Sequence, residues 1–226
     1  MRSVLLSSAC GLLVTAASAQ GGPLRGSLGG TIGVSVPLGE FDHTWGHDMF
    51  TWGGHIAFPH GLLPISAGFA FDWSQMGDQH STVPVSDPAL TATEGDLTVR
   101  AKVMSYHGLL RFSPLNGKVR PYVDGLLGAR QFTTLSKVKV DGLDQPVMEE
   151  RNANDLAFST GWAAGLMVGL GKIGYVEARV ERFHSGKASY VDPNSIAVDD
   201  QGHVSYNTLE SRTDAVNVLV GIGIRF

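Results

Sequence analysis

SLGGTIGVSVPL, residues 27–38, alternates without a break: Leu28, Gly30, Ile32, Val34, Val36 and Leu38 fall on one face, and Ser27, Gly29, Thr31, Gly33 and Ser35 on the other. A period of two is that of a β-strand, because successive side chains leave the pleat on opposite sides. The pattern recurs along the chain. Near 49–58, Phe50, Trp52, Ile56 and Phe58 oppose Thr51, Gly53, His55 and Ala57, and near 64–73, Ile65, Ala67, Phe69, Phe71 and Trp73 oppose Ser66, Gly68, Ala70 and Asp72. A fourth segment, 99–112, sets Met104, Tyr106, Leu110 and Phe112 against Ser105, His107 and Arg111, and a fifth, 119–131, sets Val119, Val123, Leu127 and Ala129 against Arg120, Asp124 and Arg130. In the sixth, 156–170, Phe158, Trp162, Ala164, Leu166, Val168 and Leu170 oppose Ser159, Gly161, Ala163 and Gly165. The seventh is the least regular, with Val176, Ala178 and Val180 against Glu177, Arg179 and Glu181. The eighth places Val216, Val218, Val220, Ile222, Ile224 and Phe226 opposite Asn217, Gly221, Gly223 and Arg225. No stretch keeps a helical stripe for three turns, so the sequence predicts an all-β chain of eight strands, each about the ten residues a tilted membrane strand needs.

The connections alternate in length. Short turns are expected at 59–63, 113–118 and 171–174, and long polar loops at 39–48, 74–98, 132–155 and 184–213. Short turns at one end and long loops at the other fit an antiparallel up-and-down barrel that crosses a membrane better than a compact soluble domain. Alternation alone does not say which face meets lipid, since a soluble lipocalin-like barrel turns its apolar face inward. The polar faces decide. They carry mainly Gly, Ser, Ala and Thr instead of the long Lys and Glu of a wetted exterior, and small residues suit a narrow lumen. Trp52, Trp73, Tyr106, Phe112, Phe158 and Trp162 on the apolar faces are expected near strand ends, as an interfacial girdle.

Charged residues make up 17% of the chain and the net charge is -4, so nucleic acid is not an expected partner. At the start, Arg2, the apolar stretch from Val4 to Thr15 and Ala17-Ser18-Ala19 predict a signal peptide over 1–19, cleaved near Ala19. Cys10 after Ser7-Ser8-Ala9 offers a lipoprotein-type alternative, but the apolar run continues past it. Residues 20–226 are then one barrel domain without cysteine, held together by neither disulfide nor thiolate metal site.

With the last strand in view, the chain resembles the small bacterial outer-membrane β-barrels, the group that includes OmpX, opacity-like proteins and the OmpA transmembrane domain. Val218, Val220, Ile222, Ile224 and Phe226 carry the likeness, together with KVRPYVDGLLG at 118–128. The resemblance implies an outer-membrane location, surrounding lipid and lipopolysaccharide, and a last strand read by the barrel-assembly machinery. No peptidoglycan-gripping domain is expected after Phe226.

Among candidate chemistries, Arg182-Phe183-His184-Ser185 is similar to the region holding the His and Ser of lipid A deacylases, but adjacent residues point to opposite faces of a strand. His203, Ser205 and Glu210 fall in an expected loop with nothing to fix their geometry. His43 and His47 have the spacing for two imidazoles on a helix, yet Gly39 and Gly46 argue for a loop there, so no metal is expected. Asp192, Asn194, Asp199 and Asp200 lack the spacing of a calcium loop. No catalytic residue and no cofactor is therefore expected. What remains is a nearly balanced set of inward charges: Asp72, His107, Arg111, Arg120, Asp124, Arg130, Glu177, Arg179, Glu181 and Arg225. Burial of so many charges is tolerable only if they pair, which predicts a polar core plugging the lumen. The expected function is a structural or surface-interaction role, with an extracellular ligand reached through the loops. A narrow porin-like conduit for small or hydrophobic solutes is the alternative, and a lipid A-modifying hydrolase a distant one.

Overall fold

The computed structural model describes residues 26–60, 63–84, 94–115, 117–140, 148–191, 195, 197–198, 204–205 and 207–226. The signal segment and Cys10 lie outside them. In chain order the elements are β1 (Ser27–Pro37), α1 (Glu40–Trp45), β2 (Met49–Pro59), β3 (Ile65–Pro84), β4 (Glu94–Phe112), β5 (Val119–Val140), β6 (Met148–Leu170), β7 (Gly174–Ser185), β8 (Lys187–Val191), β9 (Ala197–Val198), β10 (Val204–Ser205), β11 (Thr208–Arg212) and β12 (Ala215–Arg225). Eight of the strands close on themselves in the order β1-β12-β7-β6-β5-β4-β3-β2, every pair antiparallel.

The register fixes the barrel's dimensions. A row of paired residues that leaves β1 at Ser35 passes Asn217, Glu181, Ala163, Asp124, Arg111 and Ser66 and arrives on β2 at Pro59, whereas Ser35 itself pairs with Met49. The row thus returns ten residues displaced, Met49 to Pro59. For eight strands that stagger corresponds to a tilt of about 41° and a backbone radius of about 8 Å. An arginine can span such a radius, so inward side chains from opposite walls meet near the axis.

The exterior is the predicted lipid-facing surface: Ile32, Trp52, Phe69, Leu110, Leu127, Phe158, Val220 and Ile222 are all exposed, Ile222 at 69%. The belt runs from Ile65 to Trp73 on β3 and from Met104 to Phe112 on β4, close to the span of about 9–11 residues that a tilted membrane strand requires. Above it, toward the long-connection end, Gln75, Lys102, Gln131 and Asn154 replace apolar residues at the same parity. Aromatic side chains gather at that boundary, with Trp52 and Trp73 centred 6.0 Å apart and Phe71 and Tyr106 5.3 Å apart.

Four expectations need correction. The loops expected at 74–98 and 132–155 are mostly strand: β3 to β6 run past the belt as paired strands, leaving only 85–93 and 141–147 outside the described residues. Their polar outer faces resemble loop composition because, beyond the lipid, nothing requires an apolar exterior. Of the girdle residues on these strands, Trp73, Tyr106, Phe158 and Trp162 accordingly lie within their strands, whereas Phe112 ends β4 as expected. Residues 39–48 contain the helix α1, flanked by Gly39 and Gly46, the latter in the left-handed conformation that ends a helix without strain. Residues 184–213 contain β8 paired with β11, a hairpin standing over the barrel mouth.

At the other end the turns are short as expected, with Gly171 at φ 66° turning β6 into β7. The seam closes there: Gly26 and Phe226 exchange backbone hydrogen bonds of 2.8 and 3.1 Å, and the Phe226 ring lies 5.8 Å from that of Phe58. Phe226→Ala is expected to lower the amount of folded, heat-modifiable barrel in the membrane while export proceeds normally. Cell fractionation and unheated gels check this; a normal folded yield would count against a role for the terminal ring.

Candidate functional site

The lumen is the site with chemistry to explain, and strand parity builds it. Arg111, Arg120, Arg130 and Arg179 stand against Asp72, Asp124, Glu177 and Glu181, all buried, so the two signs balance among the described residues. At mid-height Arg111 forks onto Asp124, Nε donating to Oδ1 at 2.8 Å and Nη2 to Oδ2 at 2.9 Å, while its Nη1 donates to Ser27 at 2.8 Å. Arg179 donates from Nη1 to the same Asp124 carboxylate and from Nε to Glu181 at 2.7 Å. Tyr122 links the next carboxylate, its hydroxyl donating to Glu177 at 3.0 Å and accepting from Arg179 at 3.3 Å. Glu177 also faces His55 at 3.7 Å, and Asn217 donates to Glu181 at 2.9 Å. Bidentate, charge-assisted contacts of this kind recover most of the desolvation cost of burial.

Arg111, Asp124, Glu177, Arg179 and Glu181 are thus brought together. The others are placed differently. Arg130 sits higher, donating from Nη1 to the Thr213 carbonyl at 2.5 Å with its guanidinium 5.5 Å from the centre of the Phe183 ring. His107 stacks on Phe183, ring centres 4.8 Å apart and planes 19° from parallel. The Asp72 carboxylate lies against Gly53. Arg120 donates from Nε to the Leu115 carbonyl at 3.2 Å near the short-turn end, where Arg225 lies against Gly169. A search by charge alone passes over Tyr122, Tyr175, His55, Asn217 and Ser27. Inward parity beside the charged positions was the signal that could have found them.

Along the axis the lumen is layered. Above the charged network come Ala70, Leu109, Leu126 and Ala163, then a polar level, and over the mouth an apolar cluster of Phe41 from α1, Met49, Met76, Val103, Phe132 and Tyr190 from β8. Phe41 is fully buried, its ring 5.6 Å from Tyr190 and 6.1 Å from Phe132. The Glu40 carboxylate accepts the Arg212 amide of β11 at 3.0 Å, tying the helix to the hairpin.

The candidate chemistries outside the lumen stay apart. His184 is exposed on the outer wall and Ser185 is buried inside, donating to Ser159 at 3.0 Å. Glu210 pairs with Lys187 at 3.3 Å, Ser205 lies in β10, and His203 is outside the described residues. His43 belongs to α1 and His47 follows it, and no cluster of three metal-ligating side chains occurs among the described residues. Asp192, Asn194, Asp199 and Asp200 lie outside them.

No protein-family model and no curated protein matches the sequence. Solved structures similar to it include Neisserial surface protein A, at 8% identity and TM-score 0.45 over 89% of this chain and 97% of that one. A major outer membrane protein of Thermus thermophilus is 12% identical, with TM-score 0.47 over 89% of this chain and 98% of that one. Ail, the attachment invasion locus protein of Yersinia pestis, is 14% identical, with TM-score 0.45 over 89% of this chain and 99% of that one. Independently of these, the chain's own closed, even-stranded antiparallel barrel with an apolar outer belt is the architecture of outer-membrane proteins.

Proposed function

We propose that this protein resides in the bacterial outer membrane as a closed barrel with a structural and surface-contact role, and not as a pore. The observation that carries the reading is the buried, charge-balanced network around Asp124 beneath the apolar cluster of Phe41, Phe132 and Tyr190. A solute crossing the lumen would have to separate paired charges and displace that cluster, each a cost of several kcal/mol. Outer-membrane lipid and lipopolysaccharide surround the belt, and the barrel-assembly machinery inserts the chain. The strands β3 to β6 continue outside the membrane as a paired sheet, a stiffer platform for an extracellular ligand than flexible loops.

Planar-bilayer recording tests the reading. Purified, folded protein is expected to give no steady single-channel current above the bare bilayer. Large, stable conductance steps would favour the narrow conduit for small or hydrophobic solutes instead.

A further inference from the structure

At the short-turn end of the barrel the charge is all of one sign. The segments 59–64, 113–120, 169–175 and 224–226 hold Lys118, Arg120, Lys172 and Arg225 and contain neither Asp nor Glu. The acidic side chains next along the strands, Asp124 and Glu177, face the lumen and are engaged there by Arg111 and Tyr122. Arg120 is buried and donates to the Leu115 carbonyl, but the other three cations converge on one corner of the rim. Gly169 donates its amide to the Lys118 carbonyl at 2.7 Å, and the Arg225 amide donates to the Ile173 carbonyl, beside Lys172, at 2.7 Å. The Arg225 guanidinium lies over Gly169, where a Cβ would come within 2.6 Å of its Nη2. Lys118 and Lys172 are exposed and Arg225 is half-buried. Even the Phe226 carboxylate, which accepts the Gly26 amide at 2.8 Å, leaves this corner positive.

The apolar side chains around these cations identify what they meet. Each short turn carries a large apolar residue in an exposed position: Leu63 at 57%, Leu115 at 53% and Ile173 at 56%. At the opposite end the outer wall turns polar at Gln75, Lys102 and Asn154 while the strands still run on. At the short-turn end the apolar exterior instead persists past the last residue of the strands, so the bilayer reaches the turns and the cations stand at headgroup level. A lysine at that level lays its stem along apolar surface and places its ammonium among phosphates. A soluble anionic polymer would meet the charges but leave Leu115 and Ile173 in water, whereas an anionic lipid surface covers both in one contact.

We propose that Lys118, Lys172 and Arg225 form a binding site for the phosphate of anionic phospholipids in the leaflet at the short-turn end, the periplasmic one. This rests on the reading of the barrel as resident in the outer membrane, where the short turns are periplasmic. Glu40, Asp42, Asp48, Asp155, Glu210 and Asp214 all lie toward the other end, so the two ends of the barrel present unlike charge to the two leaflets.

NMR amide shifts of the folded wild-type protein, in phosphatidylcholine nanodiscs carrying a rising fraction of phosphatidylglycerol with the same acyl chains, test the site. Saturating shifts are expected at Gly169, Lys172 and Ile173, with none at Lys102 or Asn154. Lys172→Gln should raise the fraction of phosphatidylglycerol needed for half the shift by about fivefold, the effect of one cation at an anionic surface. Lys118→Gln combined with Lys172→Gln should raise it further; both lysines are exposed, and unchanged belt amides verify that the fold is kept. Equal shifts at the two ends, or an undiminished response in the double variant, would mean a diffuse response to surface charge and would overturn the site. Soluble peptidoglycan fragments that shifted the same amides in pure phosphatidylcholine discs, where phosphatidylglycerol did not, would assign the cations to the cell wall and also overturn it. A wild-type chain that failed to insert in the phosphatidylcholine discs as a folded barrel would overturn the membrane reading, and the site with it.

Discussion

Asp124→Ala is expected to destabilise the folded barrel by about 3–5 kcal/mol, the cost of stranding a buried charge. Asp124 is fully buried and takes both the Arg111 fork and a bond from Arg179, so its loss leaves two guanidinium groups short of a counter-charge. Urea unfolding followed by tryptophan fluorescence, with heat-modifiability on gels as the check of folding, measures the loss. The double variant Asp124→Ala with Arg111→Met should fall short of the single one's damage, because it restores the balance of signs and leaves Arg179 bonded to Glu181 at 2.7 Å. Equal stability of wild type and Asp124→Ala would mean that water reaches these charges, and the closed lumen would lose its main support.

The eight-strand barrel was legible because lipid imposes a strict rule on one face. From Leu28 to Val34 and from Val218 to Ile224 every second residue must be apolar, or Gly as at Gly30, and the period of two survives any uncertainty in strand ends. The rule lapses where lipid ends. Residues 77–84 and 94–101 pair with one another beyond the belt, yet their sequence reads as loop because an exterior outside the lipid need not be apolar. The same holds for α1: six residues are too few to show a helical period, and what secures them is burial of Phe41 under Tyr190, a contact between positions far apart in sequence.

The lumen was legible by charge and only partly by geometry. Parity placed Arg111, Asp124 and Arg179 on inward faces. Which of them meet depends on the ten-residue stagger of the barrel, which sequence does not reveal. Arg130 and Asp124 are three inward positions apart on β5 and end in different layers, one beside Phe183 and the other within the ion network. Tyr122 was hidden for another reason. Its value lies in a glycine on the neighbouring strand, and a glycine leaves no chemical trace of what fills its place.

That glycine allows a sharp test. Gly165 pairs with Tyr122 across β5 and β6, and the Tyr122 ring folds over it so closely that a Cβ at 165 would collide with the ring, its Cε1 only 2.8 Å away. An aromatic laid over a cross-strand glycine is a recognised way to cover exposed backbone. Here it also aims the hydroxyl at Glu177 and Arg179. Gly165→Val should therefore displace the ring, break both bonds and cost about 3 kcal/mol or more, from overpacking together with a disrupted buried network. The control lies one strand away and three positions along. Gly125 faces lipid, and a Cβ there would meet nothing within 4 Å. Gly125→Val should be neutral or stabilising by up to about 1 kcal/mol, since valine favours a strand over glycine. The same chemical change thus carries opposite signs according to the face on which it falls. Equal destabilisation by the two variants in urea would mean that backbone preference, and not the tyrosine packed inside the barrel, governs these positions.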